Sequence, residues 1–414
     1  MPTKKYPGKV LLLFLLLIVT FSCRKPYDPP LTNGSGSYLV VEGLINSGGD
    51  STIIKLSRTV KISSKTSVNP ELNALVEIEG DQNVSYPLTE ISDGVYACAG
   101  LNLDASHKYR LNIKTTNNKQ YLSDYVPVVT SPPIDSVSFD QNGTTSGPGL
   151  NIYANTHDAN NKARYYRWEY QETWEIHPAL ESYYKSNGDT VLPRDMVHDN
   201  IYNCWQSNKS SVIILGSSAK LTQNVISNSL LVTIPSTSEK LGDQYSILVN
   251  QYALTPEAYS FYTNLKKNTE QLGSIFDAQP SEIAGNIHNV SDPSEPVLGY
   301  ISAGTSTSQR IFIKKGQLIY NWKFTPYYAD CKIFFDDHYR IPCCYFSAVA
   351  GGITINQVDE YINYNKDGGN TAPLLPLEPI SQPGQGIVGY TATIPECADC
   401  TLRGSDIKPA FWPQ

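Results

Sequence analysis

The feature that most constrains this fold is a series of short apolar runs separated by turn residues. Seven such runs lie between residues 38 and 130, with turns such as residues 46–49 between them. In one run Ile54 and Leu56 share a face, while their neighbours in sequence point the other way. Short strands at this spacing predict that residues 38–131 form an N-terminal β-sandwich of immunoglobulin-like or transthyretin-like type.

Two consecutive prolines, Pro132 and Pro133, separate this region from the next, because such a pair cannot continue a central strand. Residues 134–414 carry further strand patterns and predict a larger C-terminal β-sandwich. The predicted fold class is therefore mainly β, with two β-sandwich domains. Residues 177–210 lack a regular pattern, and we interpret them as a long connection, a kind of segment that is often functional.

One helix is predicted inside the second domain. Thr255 is placed as its N-cap, Pro256 takes the first helical position and Gly273 ends it, so the helix covers residues 256–272. Its polar face is not strongly basic, and we therefore expect it to pack on the sandwich rather than on a membrane. Residues 316–414 are rich in cysteine, glycine and proline and form a Cys-rich C-terminal segment.

The N-terminal residues predict where the protein works. Three lysines precede an apolar run at residues 10–19, and Cys23 follows a small residue. Because about 20 apolar residues are needed to cross a bilayer, the run favours a lipoprotein signal peptide over residues 1–22 with lipidation of Cys23. An ordinary cleaved signal and a membrane-spanning anchor are the alternatives. Residues 23–37, with their prolines, glycines and serines, are predicted to be a flexible tether.

The charge of the chain excludes one class of partner. The formal net charge is −7, and no cluster of lysine and arginine follows Lys25. Phosphate backbones are bound by clustered cations. Nucleic acid is therefore not an expected partner.

The run RYYRWEY at residues 164–170 is the most informative aromatic segment. With a period of two, Tyr166, Trp168 and Tyr170 share one face of a strand. We interpret this face as core with Trp168 buried, and the alternative is an aromatic platform for a sugar or peptide. The candidate ligand-contact aromatics of the chain are Tyr165, Tyr170, Trp174 and Trp205.

The cysteines indicate disulfides. Seven follow Cys23, and five of these lie from residue 331 onward. A secreted setting favours disulfide bonds. The alternative is a metal site, because Cys397 and Cys400 have metal-ligand spacing and His338 lies close to Cys343 and Cys344 in sequence. Cys98 lies far from the others and is predicted to be a free, buried thiol. The disulfide candidates are Cys204, Cys331, Cys343, Cys344, Cys397 and Cys400.

Few residues point to catalysis. Residues 336–338 (DDH) are a candidate metal or acid–base cluster, but a solvated polar turn is the simpler interpretation. Glu169, Glu172 and Glu175 offer the paired carboxylates of glycoside hydrolysis, yet on a strand Glu172 faces opposite to the other two. The chain has no nucleophile elbow, phosphate loop or His-Glu-x-x-His motif. We therefore predict no catalytic residue, metal or cofactor, and no enzymatic activity.

Several segments together resemble one protein family. They are residues 38–46 (YLVVEGLIN), 121–127 (YLSDYVP), 164–170 (RYYRWEY), 203–205 (NCW), 285–288 (GNIH), 397–404 (CADCTLRG) and 408–413 (KPAFWP). They resemble the Bacteroidota outer-membrane lipoproteins known only as a domain of unknown function (DUF4249). Members of that family are commonly encoded beside TonB-dependent receptors, which implies an accessory or ligand-capturing role at the outer membrane. The resemblance implies no catalytic residues.

We therefore expect a non-enzymatic outer-membrane lipoprotein, anchored through Cys23, that serves a TonB-dependent receptor in nutrient uptake. It would capture a small ligand, glycan or peptide, or cap the receptor, through the loops and helix of the second domain. An extracytoplasmic glycan- or peptide-cleaving lipoprotein and a structural envelope protein are the alternatives. The anchor is compatible with either the cell surface or the periplasmic face.

Overall fold

A computed structural model describes most of the chain after residue 36. The described residues are 37–60, 68–142, 147–186, 191–270, 285–319, 322–325, 327–328, 331–333, 348–350, 353–355, 374–384 and 386–413. The predicted signal peptide, Cys23 and nearly all of the predicted tether lie outside them. Residues 336–338, Cys343 and Cys344 lie outside them as well. The roles predicted for these residues stay predictions.

The described part of the chain is mainly β. Its first nine strands are β1 (Leu39–Asn46), β2 (Thr52–Arg58), β3 (Asn69–Pro70), β4 (Leu75–Gly80), β5 (Ser85–Ser92), β6 (Val95–Cys98), β7 (Lys108–Lys114), β8 (Gln120–Ser123) and β9 (Val126–Val129). The next nine are β10 (Ile134–Asp140), β11 (Gly149–His157), β12 (Tyr165–Ile176), β13 (Tyr184–Ser186), β14 (Val191–Pro193), β15 (Cys204–Lys209), β16 (Ile214–Ser217), β17 (Val225–Pro235) and β18 (Gln244–Leu254).

The remaining elements mix strands and short helices. The strands are β19 (Ile287–Asn289), β20 (Leu298–Gly299), β21 (Ala303–Gly304), β22 (Ser306–Lys314), β23 (Ala348–Ala350), β24 (Ile353–Ile355), β25 (Leu375–Gln382) and β26 (Gly386–Thr393). The α-helices of the described residues are α1 (Pro256–Glu270) and α2 (Pro395–Ala398). Single 3-10 turns lie at Glu239–Leu241, Lys315–Gln317 and Cys400–Leu402.

Eight strands close into a β-barrel, which overturns the predicted pair of β-sandwich domains. They follow the order β7-β4-β5-β6-β2-β1-β21-β9, and β9 pairs back with β7. At the closure Tyr109 in β7 lies opposite Val126 in β9. Ala303 in β21 pairs in parallel with Val128 in β9 and with Ile45 in β1. The prediction of two β-sandwiches is therefore wrong.

The closing strand explains why the sequence pattern could not separate the two architectures. Strand β21 comes from a segment far beyond the first nine strands, and inward and outward residues alternate in a barrel as they do in a sandwich. Gly304 permits the closure, because a Cβ atom there would lie 2.2 Å from the carbonyl oxygen of Val129. The boundary at residue 131 stays a prediction, but the sheet that contains β1 also takes in strands from residues 287–304.

A second hydrophobic core lies between two other sheets. One has the strand order β15-β12-β18-β22, with β16 also paired to β12, and the other has the order β10-β11-β17. Trp168 and Tyr166 are fully buried in this core, which confirms the prediction made for their face of the strand. The Trp168 Nε1–H donates to Gln251 Oε1 at 2.9 Å, and Gln251 Nε2 donates to the Pro132 carbonyl at 2.8 Å. The segment between the two cores is thereby hydrogen-bonded to the second one.

Helix α1 packs on this second core. The Thr255 hydroxyl accepts a hydrogen bond from the Ala258 backbone N–H at 3.2 Å, which confirms the predicted N-cap. Ala258 and Phe261 are buried, and the helix contacts β12, β16 and β18. The predicted last two residues of the helix, and Gly273 after them, lie outside the described residues. In the part of the chain that the structure describes, no helix has the length and apolarity needed to cross a membrane.

The C-terminal segment packs against strands β13 and β15. Strands β25 and β26 form a hairpin, and Tyr390 of β26 packs against Tyr184 of β13 with ring centroids 4.9 Å apart. Beyond helix α2 the chain runs beside β15, where Trp205 and Ser405 exchange backbone hydrogen bonds of 2.8 and 3.0 Å. The end of the chain is thus paired with the edge of the five-stranded sheet.

Candidate functional site

A cleft of about 430 Å³ opens where the C-terminal segment meets the end of strand β12. Its walls come from the end of β12, the loop before β15, the first residues of β15 and the C-terminal segment. Helix α1 lies at the other end of β12, where Tyr259 packs on Tyr165. The cleft is lined by Glu175, Met196, Val197, His198, Asn200, Asn203, Trp205, Asp406 and Lys408.

One disulfide joins two of these segments, and a second one ties the C-terminal segment to Cys331. Cys204 at the start of β15 is bonded to Cys400, 196 residues later, and Cys331 is bonded to Cys397. The prediction of disulfides is confirmed for these four residues. Cys397 and Cys400 each pair with a different cysteine, so their spacing does not reflect a shared metal ion. The cross-links position the segment that carries Asp406 and Lys408 against the cleft.

Cys98 is the one free thiol among the described cysteines. It ends strand β6, is partly buried and forms no disulfide, which confirms the predicted free thiol. Burial raises the pKa of Cys98. A thiol with a raised pKa is a poor nucleophile at neutral pH, so we assign Cys98 a packing role.

The loop that forms one wall of the cleft is held by its own hydrogen bonds. Asn200 Oδ1 accepts the backbone N–H groups of Tyr202 and Asn203 at 3.1 and 3.0 Å. His198 Nδ1 lies 2.7 Å from Asp195 Oδ2. This contact raises the pKa of His198 and lowers the pKa of Asp195 to about 2. Lys408 therefore places positive charge on a cleft that also contains acidic groups, and His198 adds to it when protonated.

Trp205 supplies the aromatic surface of the cleft. It is partly buried, and its ring meets the edge of Trp412 with centroids 6.4 Å apart. The Trp205 Nε1–H is buried and finds no hydrogen-bond acceptor among the described residues. An unsatisfied buried donor costs about 1–3 kcal/mol. A ligand that offers an acceptor at this position would remove that penalty.

Glu175 is the acidic group at the end of β12. Burial raises the pKa of its carboxyl, and the nearby Asp243 carboxylate raises it further, while His177 and the Trp412 side chain oppose this shift. His177 Nε2 lies 2.8 Å from Asp243 Oδ2 and 3.9 Å from Glu175 Oε1. Two carboxylates and one imidazole therefore converge beside the cleft.

The four aromatic residues predicted to contact ligand are not brought together. Tyr165 packs on the helix through Tyr259, Tyr170 is buried in the core, and Trp174 lies under the Lys240 ammonium at 4.9 Å. Only Trp205 of the four lines the cleft. For all four, ligand contact itself stays a prediction.

The three glutamates of β12 separate as their spacing predicts. Glu169 pairs with Arg167 at 2.9 Å. Glu172 is buried on the core side, where Lys240 Nζ donates to it at 2.6 Å and the Tyr245 hydroxyl at 2.8 Å. These contacts account for Glu172 as part of an internal ion pair, so it offers no second carboxylate to Glu175.

Sequence reasoning missed most of the residues that line the cleft. Those of the loop at 196–203 lie in a stretch without a regular pattern, and no spacing rule connects them to Asp406 or Lys408. The one available signal was the presence of Cys204 beside this stretch and of most other cysteines in the C-terminal segment. The sequence leaves their pairing open, but a disulfide between Cys204 and that segment would bring the two together.

One family model matches the chain. It is described as Domain of unknown function (DUF4249) and covers residues 24–310. No curated protein matches. The matched range contains Glu175 and Trp205, whereas Asp406 and Lys408 lie beyond it.

Proposed function

The chain belongs to the family Domain of unknown function (DUF4249), and from that premise we propose that it is a non-enzymatic ligand-binding lipoprotein of the bacterial outer membrane. The cleft beside Trp205 is the observation that carries this proposal. Its volume of about 430 Å³ falls within the usual range of small-molecule sites. Residues from distant parts of the chain line it, and the disulfide between Cys204 and Cys400 joins two of the segments that carry them.

The lining favours a polar organic ligand with an apolar face. Trp205 offers a flat ring and an N–H without an acceptor, which suits the face and the hydroxyl groups of a sugar or the backbone of a peptide. Glu175, Asp406 and Lys408 add charged hydrogen-bonding groups of both signs. An oligosaccharide or a short peptide combines these features.

The proposed location is supported by the sequence and by the cysteines. Residues 1–23 have the pattern of a lipoprotein signal followed by a cysteine. Disulfides persist in oxidising compartments, such as the bacterial periplasm and the cell surface. A TonB-dependent receptor is the proposed partner, as the family resemblance implies, and the captured ligand would be passed to it.

We expect the mature N-terminal peptide to begin at an acylated Cys23. Acyl chains hold a protein on a membrane through about 0.8 kcal/mol per buried methylene group. Cys23→Ala should therefore release the protein from washed membranes, which immunoblotting of the fractions measures. The matched control is Cys98→Ala, which removes a thiol that this proposal does not involve. Mass spectrometry that finds an unmodified Cys23 in membrane-bound protein would contradict the proposal.

We expect Trp205→Ala to weaken ligand binding about tenfold or more, because it removes the aromatic face and the unsatisfied donor together. The measurement is binding of full-length protein in detergent to arrays of oligosaccharides and short peptides, followed by calorimetry with the best binder. Trp322→Ala removes an indole that does not line this cleft and should leave affinity unchanged. Failure to bind any arrayed compound, or equal affinity in Trp205→Ala, would contradict the assignment of the cleft.

A further inference from the structure

His177 and Asp243, which the proposed ligand site does not explain, form a group with Glu175 of the cleft. One ligand atom from each lies within 4.8 Å of the others. Glu175 and His177 are two residues apart at the end of β12, and Asp243 comes directly before β18, the neighbouring strand. The pairing of the two strands therefore brings the three side chains together.

The imidazole of His177 is held in place by Tyr202, on the side away from the two carboxylates. Its Nδ1 lies 3.3 Å from the Tyr202 carbonyl oxygen, and its ring stacks on the Tyr202 ring with centroids 4.8 Å apart. When Nδ1–H donates to this carbonyl, the neutral ring presents the Nε2 lone pair to the two carboxylates. Metal-binding histidines in proteins are commonly held by such a hydrogen bond from their other nitrogen.

Glu175 lies beside the Trp412 side chain, which opposes the rise that burial causes in the pKa of this carboxyl. The side chains of His177 and Glu175 are only 25% and 17% exposed, whereas half of the Asp243 side chain is open to solvent. The group therefore has two shielded ligands, of which His177 is also oriented, and one open side through which an ion can enter.

His177 Nε2 and one oxygen of each carboxylate lie within 4.8 Å of one another, close enough for one divalent cation to bind all three. One imidazole and two carboxylates are ligands that Zn²⁺ accepts, with water in the remaining position. We propose that Glu175, His177 and Asp243 bind one Zn²⁺ ion at the edge of the cleft.

The test is titration of the full-length protein in detergent with ZnCl₂ after chelator treatment, followed by calorimetry and by thermal unfolding. The expected result is binding of one ion per chain and a higher unfolding temperature in its presence. His177→Ala should weaken this binding at least tenfold. Asp243→Asn, which changes a half-exposed side chain and preserves its shape, should do the same without affecting the fold.

The matched control is His157→Ala. His157 Nδ1 also lies 2.8 Å from a carboxylate oxygen, that of Asp135, but among the described residues this pair has no third metal-ligating side chain beside it. Its loss should leave Zn²⁺ affinity unchanged. Equal affinity in wild type and Asp243→Asn, or no binding to wild type, would overturn the proposal and leave the contact between His177 and Asp243 as a hydrogen bond. Tighter binding of Ca²⁺ or Mg²⁺ than of Zn²⁺ would overturn it as well.

Failure of the proposed Zn²⁺ site is distinguishable from failure of the proposed ligand cleft. Trp205→Ala should lose affinity for oligosaccharide or peptide and keep Zn²⁺ binding, because Trp205 contributes no ligand atom. Binding of an oligosaccharide or peptide without any binding of Zn²⁺ would reject the metal site alone.

Discussion

Replacing Cys204 and Cys400 together by serine is expected to lower the free energy of unfolding by about 5 kcal/mol. The bond closes a loop of 196 residues, and a cross-link across a long loop restricts the unfolded chain strongly. It also holds the segment that carries Asp406 and Lys408 beside Trp205. The double variant should therefore lose ligand binding along with stability. Urea unfolding followed by tryptophan fluorescence measures the first effect.

Cys98→Ser is the control for this experiment. Cys98 is a free, partly buried thiol, and its replacement should change the free energy of unfolding by no more than about 1 kcal/mol. A comparably small loss in the Cys204→Ser, Cys400→Ser double variant would contradict the prediction. The backbone bonds between Trp205 and Ser405 would then be sufficient to hold the C-terminal segment.

Trp168→Ala is expected to destabilise the second core by about 3–5 kcal/mol, because it leaves a large cavity between two sheets. Trp168 is fully buried and stacks near Tyr166 with ring centroids 5.9 Å apart. A Cβ atom at Gly216 would lie 2.6 Å from the indole ring, so the ring fills the space beside this glycine. The variant also removes the donor that Gln251 Oε1 accepts. Urea unfolding of wild type and variant measures the difference.

Trp168→Phe separates the effect of the cavity from the effect of the lost hydrogen bond to Gln251. It keeps an aromatic ring in the core but deletes the indole N–H, so we expect a loss smaller than that of Trp168→Ala. Val197→Ala serves as the surface control, since Val197 is 80% exposed and its truncation should change stability by no more than about 0.5 kcal/mol. A loss below about 1 kcal/mol in Trp168→Ala would show that the core does not depend on this side chain.

Much of the local structure was predictable, because strand and helix patterns are properties of neighbouring residues. The period of two placed Tyr166 and Trp168 in the core and turned Glu172 away from Glu169. Capping chemistry located the start of helix α1 at Pro256. Each of these inferences needs only a few consecutive residues and elementary geometry.

The arrangement of the sheets was not predictable in the same way. A barrel and a sandwich place apolar residues at the same alternating positions, so the pattern in residues 38–131 is compatible with either. The sheet becomes a barrel only if its two edge strands hydrogen-bond to each other. Here Ala303 and Gly304 supply the strand between β1 and β9, and no local pattern shows which distant strands they pair with.

The sequence by itself determined which faces of the strands are buried and where helix α1 begins. It also determined that the cysteines of the chain favour disulfides. These properties follow from local spacing and composition. Only the tertiary structure decided that eight strands close into a barrel and that Glu175, Trp205 and Lys408 share one cleft. Contacts between segments so far apart depend on the packing and cross-linking of the whole chain. No short stretch of residues contains that information.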